Sequence, residues 1–198
     1  MSIGVIKYNA GNLYSVKCAL NRLNVEPLII THENISLLDS CDKVIFPGVG
    51  EASSAMAFLR EHGLDTIIKN ITIPLLGICI GQQLMCKHSE EGDVDCIGIF
   101  DVNVMRFVSD RYTIPHVGWN SLSLKSGSES LFNSLENNEY VYYVHSYYVP
   151  ECAYTIAVTD YINPFSAALH KDNFFSTQFH PEKSGKIGDV ILKNFLAL

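Results

Sequence analysis

The chain has 198 residues, 47% of them hydrophobic and 11% aromatic, with a formal net charge of −7. That length and composition describe an ordered globular protein able to bury a core of its own. The acidic balance, unrelieved by any basic run, argues against a nucleic-acid partner, and no apolar stretch nears the roughly 20 residues of a membrane span.

At the N-terminus, MSIGVIKYNAGN lacks the basic flank and long apolar run of a signal peptide. IGVI (3–6) reads as a strand, and NLYSVKCALNRL follows as a helix with Leu13, Val16, Leu20 and Leu23 on one face. EPLIIT and DKVIF (42–46) are further strands. SSAMAFLREHG reads as a helix with a serine start and Gly63 at its stop, and LDTIIKN continues helically. IPLLGI is a buried strand and GQQLMCKH a helix. This alternation implies a mostly parallel sheet covered by helices on both faces, an α/β fold.

From about residue 96 the pattern changes. IGIFDVNVMRF, NSLSL, EYVYYVHSYYV, YTIAVTDY, SAALHK and FFSTQF read as strands separated by turns, and GKIGDVILKNFLAL closes the chain as a helix, apolar at Ile187, Val190, Ile191 and Phe195. No Pro/Gly/Ser linker marks the switch, so residues 1–198 read as one domain, a parallel core with antiparallel extensions. The six cysteines (Cys18, Cys41, Cys79, Cys86, Cys96, Cys152) form no CxxC pair, which without a signal peptide suggests reduced cytosolic thiols. The seven histidines show no HxxxH or HxH spacing, so neither a metal site nor another cofactor is expected.

One cysteine stands apart. In G-I-C-I-G, Cys79 sits at the join of strand and helix with Gly77 and Gly81 two residues away on either side. In an open parallel sheet, ligands collect at the carboxyl ends of the strands. A nucleophile on a sharp strand-to-helix turn needs small neighbours at those two positions, as in the G-x-S-x-G elbow, and the positive end of the following helix favours thiolate. The plain alternative is a buried structural cysteine beside two turn glycines.

A proton-handling partner lies 101 residues on, where FFSTQFHPEKS runs a strand into His180, with Glu182 placed to orient the imidazole; alone, the triplet also describes an ordinary strand-end turn. FPGVGEASSAM places Gly48, Val49 and Gly50 between a strand and a helix, where their backbone N–H groups, with that of Ile80, suit an oxyanion hole, a plain turn or a phosphate cradle. The dinucleotide fingerprint fails for want of a third glycine.

With these pieces the sequence resembles the class I (triad) glutamine amidotransferases, a flavodoxin-like fold. YNAGNLYSV, FPGVG, LGICIGQQL, HSEEG, IPHVGWN, YVHSYYV and TQFHPEKS occur in family order over essentially the whole chain. The resemblance implies Cys79 as nucleophile on the glutamine amide, His180 as acid and base, and Glu182 as its orienting group. It implies Gln83 and Glu91 as holding the amino-acid end of glutamine, and His145, Ser146 and Tyr147 as lining the pocket. GWN and VHSYY point to the branch serving histidine biosynthesis, whose glutaminase subunits pass ammonia to a (β/α)8-barrel synthase (cyclase) subunit, their heterodimer partner. Those glutaminases show little activity until the partner is loaded, for which an incompletely formed oxyanion hole at Gly48–Gly50 is a physical cause. One departure is Lys7-Tyr8-Asn9, where the family usually has an acidic residue before the tyrosine. Three alternatives stand beside this: a glutaminase feeding a surface-sugar-modifying enzyme, a non-catalytic member, or another thiol hydrolase on the same frame.

Overall fold

The computed structural model describes residues 1–9, 12–48, 50–126 and 128–198. The first half alternates as the periodicity predicts: β1 (Ile3–Ile6), α1 (Leu13–Arg22), β2 (Leu28–Ile30), a 3₁₀ segment (His32–Ser40), β3 (Lys43–Phe46), α2 (Ala52–Glu61), α3 (Leu64–Lys69), β4 (Leu75–Ile78) and α4 (Ile80–Leu84). The second half is strand-rich: β5 (Cys86–Ser89), β6 (Val94–Asp95), β7 (Phe100–Arg106), β8 (His116–Ser121), β9 (Ser123–Leu124), a short α5 (Glu129–Phe132), β10 (Tyr140–His145), β11 (Tyr147–Tyr148), β12 (Thr155–Asp160), β13 (Pro164–Lys171) and β14 (Phe174–Thr177). A 3₁₀ turn at Pro181–Lys183 leads into α6 (Gly185–Ala197).

Among the described residues, eight strands form the main sheet in the order β2-β1-β3-β4-β14-β13-β12-β9. The five from β2 to β14 are parallel, and β13, β12 and β9 extend them antiparallel. Every residue of β1, β3 and β4 is buried, because both faces of the sheet are covered. One face packs on α1 and α6 through Val16, Ala19, Leu20, Ile191, Leu192 and Phe195. The other packs on α2 and α3 through Ala55, Met56, Leu59, Leu64 and Ile68. Each large aliphatic or aromatic side chain so buried contributes roughly 1.5–3 kcal/mol of hydrophobic stabilisation. Two smaller sheets, β10-β8 and β11-β7-β5-β6, stand beside the main one. No helix among the described residues is long and apolar enough to cross a membrane.

Two sequence expectations need correction. The helix expected over GQQLMCKH ends at Leu84, and Cys86–Ser89 is a strand. Those residues pair with β7 in parallel and β6 antiparallel, and this tertiary pairing overrides a helix-compatible local sequence. Helix α2 starts not on a serine but on Glu51, whose carboxylate accepts hydrogen bonds from Ser53 N (3.0 Å) and Ser54 N (2.8 Å). The stop at Gly63 is as expected, with φ +66°.

Candidate active site

The site sits where β4 and β14 leave the sheet side by side. Thr177 is in register with Ile78, and Cys79 N donates to Thr177 O at 2.7 Å, so the residues following both strands emerge together at the carboxyl edge. Cys79 has φ +54° and ψ −108°, a backbone conformation costly for any residue with a Cβ. The chain is held there by close packing. A Cβ on Gly81 would lie 2.1 Å from Phe46 O, and one on Gly77 would lie 2.7 Å from Met85 Sδ and 3.0 Å from the Gly81 carbonyl. The flanking glycines are therefore required for the elbow.

His180 is buried, and its Nδ1 lies 2.8 Å from Glu182 Oε1, also buried. A carboxylate oxygen accepts only, so Nδ1 carries a proton and Nε2 is the working nitrogen. Burial alone pulls the imidazole pKa down. The charge of the adjoining Cys79 sulfur and then Glu182 outweigh that effect and raise it to about 10. His180 Nε2 itself makes no hydrogen bond.

The sulfur has two further neighbours: Gln178 Nε2, donating to it at 3.7 Å, and Val144 O at 3.9 Å. The expected contribution from the helix dipole is small, because α4 is only five residues long. The donors around sulfur are instead side chains from the β14 end.

A cavity of about 300 Å³ opens over Cys79 and is lined by Gln83, Glu91, His145, Ser146 and Tyr147. Small-molecule sites span roughly 300–1,000 Å³, and this lower-end volume suits an amino acid better than a nucleotide. Gly50 and Ile80 also line it, while Gly48 is packed so closely that a Cβ there would meet Ile80 Cγ2 at 1.9 Å. The 47–48 segment is anchored by Tyr8, whose hydroxyl donates to Pro47 O at 3.0 Å. Val49 lies outside the described residues. Glu91 accepts from Ala52 N at 3.0 Å, and burial lifts its carboxyl above the usual range, opposed by that N–H and assisted by the charge of Glu51.

Three site residues escaped sequence reasoning. Gln178 bonds both sulfur and Gln83, and its only sequence signal is a polar residue at a strand end two positions before His180. His116 lies directly opposite His145 in the β8–β10 ribbon, and Asn120 stands behind it. No local pattern reveals that register.

A buried thiol on a strained elbow, a carboxylate-oriented histidine beside it and a small cavity over the sulfur form, on a doubly wound sheet, an arrangement chemically suited to thiol-dependent acyl transfer. The glutamine amidotransferase class-I family model matches residues 5–198, and the chain belongs to that family. Within it, the chain is 58% identical over 200 residues to the imidazole glycerol phosphate synthase subunit HisH of Bacteroides thetaiotaomicron, with each chain covered in full. It is 43% identical over 199 residues to the protein of that name from Escherichia coli K12, again with full coverage of both. In fold it is similar to a putative GMP synthase component from Thermoplasma acidophilum (TM-score 0.75, 20% identity, 100% of this chain and 93% of that one). It is likewise similar to a solved glutamine amidotransferase (TM-score 0.74, 18% identity, 100% of this chain and 98% of that one).

Proposed function

We propose that this chain is the glutaminase subunit of an imidazole glycerol phosphate synthase in histidine biosynthesis. It acts as one domain over residues 1–198, in the cytoplasm, forms a heterodimer with a (β/α)8-barrel synthase (cyclase) subunit, and delivers ammonia to it. The observation that carries this reading is the 58% identity, over both full lengths, to a protein of that designation.

In the proposed mechanism the glutamine amino-acid end rests on Gln83 and Glu91, against the wall formed by His145, Ser146 and Tyr147. The Cys79 thiolate attacks the side-chain carboxamide carbon. The resulting oxyanion is received by backbone N–H groups of Ile80 and the Gly48–Gly50 loop, Val49 included. His180, protonated at Nε2, gives that proton to the leaving nitrogen; the C–N bond breaks and ammonia departs, leaving a glutamyl thioester. Water then attacks the thioester carbon with His180 as base, releasing glutamate and regenerating the thiolate. Glu182 keeps the imidazole aimed through both steps.

A partner at the site mouth is supported by the β8–β10 ribbon. Val117, Trp119 and Tyr140 are each more than half exposed on its outer face, while His116 and His145 turn inward. Val144, on that ribbon, also lines the cavity, so the apolar face runs up to the place where ammonia forms. The departure at Lys7 leaves this intact: Lys7 is exposed, and Asn9 Nδ2 is tied to Ser54 O at 3.1 Å.

The test is co-purification with the barrel subunit, followed by assay of both nitrogen sources. Cys79→Ala should reduce glutamine-dependent synthesis by on the order of 10³-fold or more and leave ammonia-dependent synthesis by the complex within about twofold. Loss of both activities in a correctly assembled complex would contradict the division of labour.

A further inference from the structure

A chain of polar groups runs from the β8–β10 ribbon behind the cavity wall to the elbow sulfur. Asn120 Nδ2 lies 3.4 Å from His116 Nε2, His116 Nδ1 is 3.0 Å from His145 Nε2, and His145 Nδ1 is 2.8 Å from Tyr147 O. Tyr147 O also accepts from Gln83 Nε2 at 2.9 Å, and the same nitrogen donates to Gln178 Oε1 at 2.9 Å. Gln178 Nε2 donates to the Cys79 sulfur.

The direction of this chain is fixed from both ends. A backbone carbonyl only accepts, so His145 Nδ1 carries its proton and, in the neutral ring, His145 Nε2 is an acceptor; His116 Nδ1 is then a donor and His116 Nε2 an acceptor. At the far end, Asn120 Oδ1 accepts from Ser121 N at 2.8 Å and its Nδ2 donates to Asp160 O at 2.8 Å, which fixes the amide with its nitrogen toward His116. Both ends demand the same tautomers. Burial, the leading cause at each ring, lowers the pKa of His116 to about 4 and that of His145 to about 3, so both are neutral near pH 7. His116 cannot turn, because it is stacked between Tyr143 (4.8 Å between centroids) and Tyr161 (4.0 Å).

We propose that His116, which does not line the cavity, is a positioning residue for the glutaminase reaction: it selects the Nδ1–H tautomer of His145 and thereby holds the Tyr147 carbonyl against which Gln83 and Gln178 are set. With His116 in place, both lone pairs of Tyr147 O and both hydrogens of Gln83 Nε2 are used. The Gln83 amide is thus locked with its oxygen left to face a ligand. Remove the His116 donor and His145 is free to take the opposite tautomer, which would set a lone pair of Nδ1 against Tyr147 O. The inference deepens the amidotransferase reading and rests on it for its kinetic half only.

The test has two arms. Imidazole ¹⁵N spectra of the full-length chain at pH 7 should show both His116 and His145 neutral and protonated at Nδ1. In complex with the barrel synthase, His116→Phe, which keeps the stacking, should raise KM for glutamine about tenfold while kcat stays within about threefold, the size expected for freeing one positioned hydrogen bond. His116→Asn, whose amide nitrogen falls near the position of Nδ1, should bring KM back to within about threefold of the parent. An Nε2-protonated or charged ring at either position, or an unchanged KM in His116→Phe, overturns the proposal. A parent complex with no glutaminase activity overturns the amidotransferase reading itself, and the spectra still decide the tautomers.

Discussion

The elbow between β4 and α4 and the ribbon of β8 and β10 meet at one cavity but are built on opposite plans. The elbow places its sulfur by backbone strain: Cys79 is held at φ +54° by glycines that let Phe46 O and Met85 come within reach. The ribbon uses regular extended strands and places its groups through side-chain hydrogen bonds whose direction is set by two neutral histidines. A strained turn fixes one atom regardless of its partners, whereas a hydrogen-bonded wall is only as well placed as its weakest link. The first plan suits the nucleophile of the proposed mechanism, and the second suits its substrate wall, which would take in glutamine and release glutamate.

The largest expected effect breaks the elbow's chemistry while leaving the ribbon alone. His180→Asn removes the proposed proton carrier and should lower glutamine-dependent kcat by roughly 10²–10⁴-fold, with KM nearly unchanged, in steady-state assays of the complex.

Next comes pH, which separates the two regions by the sign of their shifts. His116 and His145 have folded pKa values below the ordinary 6.5, so the unfolded chain binds protons that the native ribbon excludes. Their contribution to stability is fully present above about pH 6.5 and is lost as pH falls toward about 4 and about 3. Urea unfolding should show a slope of up to about 1.4 kcal/mol per pH unit for each ring in that window, and His116→Phe should remove one ring's share.

Smaller effects probe how the elbow is held. Gln82 is wholly buried within α4, where its Nε2 donates to Ser166 O at 3.1 Å and its Oε1 accepts from Ser176 Oγ at 3.1 Å. It ties the elbow helix to the two strands that lead to Gln178 and His180. Gln82→Met should cost about 1–3 kcal/mol by urea unfolding, because Ser176 is left without its acceptor, and Ser176→Ala added to it should recover part of the loss. Smallest of all, Cys79→Gly should be about 1 kcal/mol more stable than Cys79→Ala, since glycine alone accepts the elbow's φ at little cost. Equal stabilities would mean that the elbow is not strained.

The same contrast explains what could be read from the sequence. The elbow announces itself in five consecutive residues because close packing demands glycine at fixed offsets, and the alternating half of the fold follows from hydrophobic periods in strands and helices. HPE is equally local, and Glu182 reaches the histidine two residues before it. By contrast, the length of α4 depends on β5 pairing with β7, a contact across 14 positions from Cys86 to Phe100 that no local propensity encodes. The role of Gln82 is hidden in the same way, because Ser166 and Ser176, its partners, lie more than 80 residues away. The pairing of His116 with His145 and the reach of Gln178 to sulfur are likewise matters of register and topology.

In the proposed mechanism the elbow sulfur and the His180 imidazole act as one coupled unit, and an imidazole NMR titration of His180 in the intact chain and in Cys79→Ala reads that coupling. With sulfur present, His180 should hold its proton up to about pH 10. With sulfur removed, burial opposed only by Glu182 should bring the titration down markedly. The same midpoint in both proteins would show that the two groups do not sense each other.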